Sequence, residues 1–389
     1  MNSSIKKILL QFVFICTFAL LYINTFAQDS SRLRISLLSC TPGEELYSTF
    51  GHSAFRVIDS NSVEDIVYNY GTFNFGEDGF YLKFIRGKLM YYVSTERFRD
   101  FKNSYQNENR GITEQVLNLT GAEKISTRSF LIENCKEENR YYKYDFFFDN
   151  CTTRLRDILK KQLDSGFCHK AVMPAGSRFR KAIHEYLDQN GKDWSKLGID
   201  ILLGLRCDAV MTAEQMQFLP DNLMKSLDSS NTGNHLVLSE SQLLVANDLI
   251  AKGPLLTPFV FFTLLLALII TLDFVKNKIV QSLLQGFDGL LFFLTGSLGI
   301  LLILMWTCTD HSMCRDNLNL LWAWPTHFVM AFLVNSKKNW VRKYFSFTAI
   351  ALVLVLLSWF FLPQQMNNAL IPFILLLIYR IAVRSIRTN

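Results

Sequence analysis

The chain has 389 residues, half of them hydrophobic, with 33 phenylalanines and only 19% charged side chains. Soluble domains carry about a quarter charged residues, so a wholly soluble multidomain protein is excluded. The net charge of +6 divides into +2 over residues 1–27, −3 over 28–250 and +7 over 251–389; the polar middle is faintly acidic, which argues against nucleic acid as a partner.

Lys6 and Lys7 precede the apolar run Ile8–Ile23, and Asn24-Thr25-Phe26-Ala27 follows it. A charged start, an apolar stretch and a small residue at the end read as a secretory signal over 1–27, cleaved after Ala27, with an uncleaved anchor as the alternative. Cys16 follows Ile15 rather than a small residue and is not read as a lipid anchor. Residues 28–250 then form an exported domain of mixed α+β class. Arg32–Ser39, Gly51–Ile58, Asp65–Tyr70 and Thr113–Leu119 read as strands, and Phe80–Ile85 as a strand or short helix. Thr120 with Glu123 three places on is a capping box opening a helix to Glu138. Tyr141–Phe148 reads as a strand of aromatics, Asp149-Asn150 as a turn, and Cys151–Leu163 as a helix; residues 164–250 read as helical and loop-rich.

Residues 251–389 carry five apolar runs, near 255–274, 287–308, 318–335, 345–362 and 368–384. Each approaches the ~20 residues that cross a bilayer. Lys276 and Lys278, then Lys337, Lys338, Arg342 and Lys343, then Arg380, Arg384 and Arg387 place the first joint, the third joint and the tail in the cytoplasm. Five spans then leave residues 28–250 outside, as the signal also requires. The third run is the weakest, interrupted by Trp322, Trp324, Pro325 and His327. Asp273 and Asp288 lie at span ends and are expected to be solvated.

Five cysteines (40, 135, 151, 168 and 207) lie in the exported domain, so two disulfides would leave one thiol free; Cys308 and Cys314 could pair. No Cys-x-x-Cys spacing occurs, so no zinc site is expected, and no cofactor is called for. Cys151 has the context for chemistry. At a helix start the dipole and exposed N–H groups stabilise thiolate, the reactive form, and the same N–H groups can hold an oxyanion. Of His52, His169, His184 and His235, only His52 opens a strand, beside Gly51, and it is the candidate base. Asn69 on the next strand reaches it if the two strands pair antiparallel, and would orient the imidazole. The bland readings are a buried or disulfide-bonded Cys151, a structural His52, and a core role for the aromatic run.

A His on an early strand, a polar residue on the next and an Asn-Cys pair opening a later helix resembles the circularly permuted papain-like group, with the NlpC and lecithin:retinol acyltransferase relatives. The blocks Phe50-Gly51-His52-Ser53-Ala54-Phe55-Arg56, Val67-Tyr68-Asn69-Tyr70-Gly71, Asp149-Asn150-Cys151-Thr152-Thr153-Arg154 and Phe218-Leu219-Pro220 are similar to the exported domain of the Lnb family. Thr309-Asp310-His311 and Asn317 to His327 look like its membrane module. The resemblance implies transfer of an acyl chain from a phospholipid, through a Cys151 thioester, to the α-amine of the N-terminal diacylglyceryl-cysteine of bacterial lipoproteins. Asn150 is a candidate substrate contact. Asp310, His311 and Arg315 lie on the outer side and are candidates for a head group. Trp322 is a candidate contact or, more plainly, an interfacial anchor; His327 is a satisfied polar group or a substrate contact. A cysteine phospholipase, a peptidoglycan peptidase of the same fold and a non-enzymatic scaffold are the rival readings.

Overall fold

Strand β1, Leu33–Cys40, puts Ile35 and Leu37 on one face and Leu38 and Cys40 on the other, and both faces are buried. That double burial makes it the inner strand around which the domain is laid. In this computed structural model, residues 32–387 are described, apart from 164–166, 168–169, 230, 233 and 247–252. The signal expected over 1–27, Cys168, His169 and the domain boundary near 250 fall outside the described residues.

The other strands of its sheet are β2 (His52–Asp59), β3 (Glu64–Thr72), β4 (Met90–Arg97), β5 (Ile112–Leu117), β6 (Tyr141–Lys143) and β7 (Val237–Leu244). They form one antiparallel sheet in the order β6-β4-β3-β2-β1-β5-β7. Between them run α1 (Phe80–Ile85), α2 (Phe98–Asn107), α3 (Gly121–Asn134) and α4 (Cys151–Gln162). Helices α5 (Phe179–Gln189), α6 (Asp193–Leu202) and α7 (Pro220–Ser229) follow. One sheet face packs Ile35, Leu37, Phe55 and Val57 against Leu131 of α3, Leu155, Ile158 and Leu159 of α4, and Leu223 and Leu227 of α7. The other packs Leu38, Ala54 and Val67 against Phe101 and Tyr105 of α2. Thr120 caps α3 as expected: its side chain accepts the Glu123 N–H and the Glu123 carboxylate accepts the Thr120 N–H.

Two expectations fail locally. The aromatic strand stops at Lys143, because the Asp145 carboxylate accepts the N–H groups of Phe147 and Phe148 and closes a turn. Within the segment read as helical, Val237–Leu244 is a mostly exposed edge strand, held by pairing with β5 rather than by any apolar pattern.

Among the described residues the C-terminal module has four long helices, α8 (Pro258–Asp273), α9 (Lys278–Thr307), α10 (Asn339–Leu357) and α11 (Leu370–Arg387). Of these, α9 and α10 are long and apolar enough to cross a membrane by length and composition. The third apolar run is not a continuous helix: it is broken into turns at Leu318–Leu321, His327–Met330 and Ala331–Leu333. Pro325 lacks an N–H, and the Asn317 side chain takes the Asn319 N–H that a helix would use. The broken segment lies against α9 where side chains at Gly296 and Gly299 would not fit. A Cβ there would sit 2.0 Å from the Phe328 nitrogen and 2.1 Å from the Ala323 oxygen.

Asp273 and Asp288 are not solvated. Arg380, fully buried, donates to Asp288 through Nε (2.6 Å) and Nη2 (3.0 Å) and to Asp273 through Nη1 (3.1 Å). Arg384 also donates to Asp288, and the Tyr379 hydroxyl to Asp273 at 3.0 Å. Charges withdrawn from water at this depth have to pair.

The domain and the module meet along a polar seam. Gly204 N–H donates to the Met313 carbonyl (2.8 Å) and Leu205 N–H to that of Asp316 (3.1 Å). The Asn317 amide donates to Ile201 O (2.8 Å), that of Asn319 to Asp200 O (3.1 Å), and that of Asn367 to the Asp200 carboxylate (2.9 Å). Joints 308–317 and 363–368 thus lie on the face of the module that carries the domain.

Candidate active site

The turn at 145–149 delivers the chain to Asn150 in extended backbone (φ −108°). Asn150 is the N-cap of α4: its Oδ1 accepts the Thr153 N–H at 2.8 Å and its own N–H donates to Thr153 Oγ1 at 2.8 Å. Cys151 is therefore the first residue of a helix anchored in the core by Leu155, Ile158 and Leu159. His52 opens β2, directly after Gly51, whose φ of +76° turns the chain into the strand.

Strands β2 and β3 do pair antiparallel, and His52 Nε2 lies 3.2 Å from Asn69 Oδ1. The Asn69 amide nitrogen donates to Glu96 Oε1 at 2.8 Å. That second bond fixes the first: with its NH₂ committed to Glu96, Asn69 presents its oxygen to His52, so His52 Nε2 carries the proton. Nδ1 is thereby left free for Cys151, whose sulfur lies close enough to raise the His52 pKa. Glu96 lies on β4 diagonally across from Asn69, and nothing in Met90–Arg97 as a string marks it out.

The electrostatics agree. Burial favours the neutral thiol, but His52, the Ser53 N–H and the Thr152 hydroxyl outweigh it and bring the Cys151 pKa down to about 7. Burial likewise opposes charge on His52, yet the adjacent sulfur and the bonds to Cys151 and Asn69 raise its pKa above the usual histidine value. Both shifts favour a thiolate–imidazolium pair. Burial raises the Glu96 carboxyl, with the Asn69 bond partly offsetting it. Glu96→Ala is expected to slow alkylation of Cys151 by iodoacetamide about tenfold at neutral pH, the worth of one such hydrogen bond. Glu96→Gln, which keeps an acceptor, should recover most of that; equal loss in both variants would show that charge rather than orientation matters.

The thiol is walled by Gly71 and two tyrosines. A Cβ on Gly71 would lie 3.5 Å from Cys151 Cβ, 3.7 Å from the Tyr144 ring and 3.9 Å from the Tyr142 hydroxyl. That hydroxyl is buried against the Gly71 backbone, and no side chain among the described residues bonds it. Cys151 is half-buried; its thiol is free, as are those of Cys40, Cys135, Cys207, Cys308 and Cys314, so Cys308 and Cys314 are not paired.

The outlying candidates have other partners. Asn150 is 3% exposed, and its amide donates to Phe146 O and Phe218 O at 2.8 Å each, so it holds the helix start and has no group left for substrate. Asp310, exposed, pairs with Lys143 (2.5 Å), and its N–H donates to Arg86 O (3.0 Å). His311 Nε2 bonds Phe84 O at 3.0 Å. Arg315 keeps a buried Nε that no described residue bonds. Trp322 is 1% exposed, donates to Asn319 Oδ1 at 2.9 Å and packs on Phe373, so it is a core residue of the module and not an interfacial anchor. His327 is fully buried, with Nδ1 on the Tyr344 hydroxyl (2.7 Å) and Nε2 unpartnered, among Phe292, Trp324 and Tyr344. None of those neighbours belongs to the Cys151 site. His184 bonds Asp200 at 2.7 Å, a seam contact.

A family model described as the Lnb N-terminal periplasmic domain matches residues 24–178, and one described as the Lnb transmembrane domain matches residues 250–389. The chain belongs to the Lnb family. No curated protein and no solved structure matches it. In this Lnb chain the periplasmic model covers β1 to α4, and hence Cys151, His52, Asn69 and Glu96, while the transmembrane model covers α8 to α11. The protein is accordingly an inner-membrane protein with an N-terminal periplasmic part.

Proposed function

We propose that the chain is a lipoprotein N-acyltransferase with Cys151 as nucleophile, His52 as base and acid, and Asn69 as the group that orients His52. The observation that carries this reading is a low-pKa thiol at a helix start, paired to an oriented imidazole, in a domain seated on a membrane module. The chain order, His52 before Cys151, also favours a circularly permuted papain-like fold.

In the first step the Cys151 thiolate attacks an ester carbonyl of a phospholipid. Backbone N–H groups at the start of α4 would receive the oxyanion in this reading, with the buried Tyr142 hydroxyl as a further candidate donor. The C–O bond breaks, the imidazolium of His52 protonates the departing alkoxide, and a lysophospholipid leaves a thioester behind. In the second step the α-amine of a lipoprotein's diacylglyceryl-cysteine attacks the thioester, His52 takes the proton and the Cys151 thiolate departs. Two half-reactions through one acyl-enzyme give ping-pong kinetics. No cofactor takes part. Anchoring suits both substrates, since pulling an acyl chain from the bilayer costs ~0.8 kcal/mol per CH₂.

The proposed division is a signal over 1–27, a periplasmic catalytic domain over 28–250 and a membrane module over 251–389. The C-terminus is cytoplasmic in this reading: the joints touching the periplasmic domain, 308–317 and 363–368, lie opposite the basic joints and tail. Asp310, exposed beside Lys143, and Arg315 are the head-group candidates on joint 308–317.

Expression of the chain in cells lacking their own lipoprotein N-acyltransferase tests the reading. Mass spectrometry of lipoprotein N-termini should show one added acyl chain on the terminal cysteine. Free fatty acid without acylated lipoprotein would instead make the protein a phospholipase.

A further inference from the structure

Helix α1 and the turn before it carry a cluster of uncovered apolar side chains: Phe75 is 63% exposed, Tyr81 75%, Leu82 62%, Phe84 50% and Ile85 48%. Patches of this kind on a protein surface mark a contact with something apolar. The position of the cluster says what. Two hydrogen bonds pin the end of α1 to joint 308–317: Asp310 N–H to Arg86 O and His311 Nε2 to Phe84 O, each at 3.0 Å. The depth of that joint follows from α9. The buried Asp288–Arg380–Arg384 cluster marks the far end of the apolar stretch. From Gly289 to Thr307, at about 1.5 Å per residue, is about 28 Å, close to the ~30 Å of bilayer hydrocarbon. Joint 308–317 therefore sits at the periplasmic head-group level, and α1 sits there with it. Arg86 and Lys88, both exposed beside the apolar side chains, suit anionic head groups.

A row of rings leads from this edge to the thiol. Phe84 stacks on Phe80 (6.3 Å between centroids), Phe80 lies 6.0 Å from Phe73, Phe73 5.3 Å from Tyr91, and Tyr91 4.2 Å from Tyr144. Tyr144 stands beside Cys151 across Gly71. Phe73, Tyr144 and Cys151 are half-buried while Phe80 and Tyr91 are buried, so the row is open at Phe73 and beside the thiol and closed between them.

We infer that α1 dips into the periplasmic leaflet of the bilayer and that the ring row from Phe80 to Tyr144 conducts a lipid acyl chain from that leaflet to Cys151. The second half rests on the acyl-transfer reading above; the first does not. An acyl chain lying on aromatic faces leaves the bilayer without entering water, so the desorption cost that a soluble enzyme meets is avoided.

The test uses the full chain reconstituted in vesicles of phosphatidylethanolamine and phosphatidylglycerol. With p-benzoylphenylalanine in place of Leu82, irradiation should give a lipid adduct detectable by mass. The same label in place of Val63, 91% exposed at the tip between β2 and β3, should give none. No adduct at Leu82, an adduct to a second protein chain instead, or equal adducts at both positions overturns the insertion. For the path, the double variant Leu82→Glu, Ile85→Glu is compared with wild type in two reactions of Cys151: acylation by vesicle phospholipid and alkylation by iodoacetamide. Acylation should fall on the order of tenfold more than alkylation; equal falls overturn the path. If wild type forms no acyl-enzyme from phospholipid, the acyl-transfer reading and the path fail together, while the Leu82 adduct still decides insertion.

Discussion

Cys151→Ala is expected to abolish acyl transfer, a loss of about 10⁴-fold or more, as removal of a covalent nucleophile does. His52→Ala should cost nearly as much, because the two act as one unit and their effects do not add. The sharper reading comes from pH. In wild type the thiolate is the reactive form, and with the Cys151 pKa at about 7 its alkylation rate should rise with pH to a plateau just above neutrality. Below that inflection the thiol is protonated and the rate falls. In His52→Ala the helping charge is gone while burial, the largest influence on this thiol, remains. The inflection should then move above the ordinary thiol value. The apparent values belong to the Cys151–His52 pair rather than to either group. A wild-type inflection above pH 9, or one that His52→Ala leaves in place, would be inconsistent with the ion pair. Cys151 trapped in a disulfide in the mature protein would end the catalytic proposal outright.

The parts of this site that could be read from the string are those set by local rules. Alternation over Gly51–Ile58 and Asp65–Tyr70, with a short turn cluster between, forces an antiparallel hairpin, and the hairpin brings Asn69 to His52. Helix starts have local grammar, so Thr120 is legible as a cap, and Asp149-Asn150 as the turn before the Cys151 helix. Yet the same Asn150 illustrates the limit: a motif residue beside the nucleophile looks like a substrate contact until its amide is seen spent on Phe146 and Phe218. Glu96 acts across two strands from His52, and no period or spacing points to a carboxylate there. The apolar run at 318–335 has span-like composition, but Asn317, Asn319 and Pro325 divert its backbone bonds into turns. Asp288 and Arg380 stand 92 residues apart, and each alone reads as an end-of-span charge. Only tertiary packing makes them a buried pair.

Arg180→Met should destabilise the protein by ~3–5 kcal/mol, the cost of leaving a buried ion pair without one partner, and the loss should centre on the seam between domain and module. Arg180 is fully buried on α5. Its Nη1 meets Asp200 at 2.9 Å, its Nε meets Asp208 at 3.0 Å, and its Nη2 donates to Leu203 O (3.1 Å) and Gly204 O (2.9 Å). The same Asp200 accepts from His184 and, through its other oxygen, from Asn367 of the module. One guanidinium therefore holds the carboxylate that the module grips. Methionine fills similar space but leaves Asp200 and Asp208 as two buried like charges. Burial alone would raise the Asp200 pKa, but His184 and Arg180 hold it below the usual carboxylate value. A depressed carboxyl stabilises the fold above its unfolded pKa and loses that contribution as pH falls through the folded value. Wild type should therefore keep its seam intact to more acidic pH than Arg180→Met. The expected readouts on the full chain in detergent are a lower Tm and faster proteolytic cleavage between Leu202 and Ala209. Adding Asp200→Asn and Asp208→Asn to Arg180→Met removes the stranded charges and should return part of the Tm. An Arg180→Met protein with wild-type Tm and cleavage rate would mean that the seam is held without the Arg180–Asp200 pair.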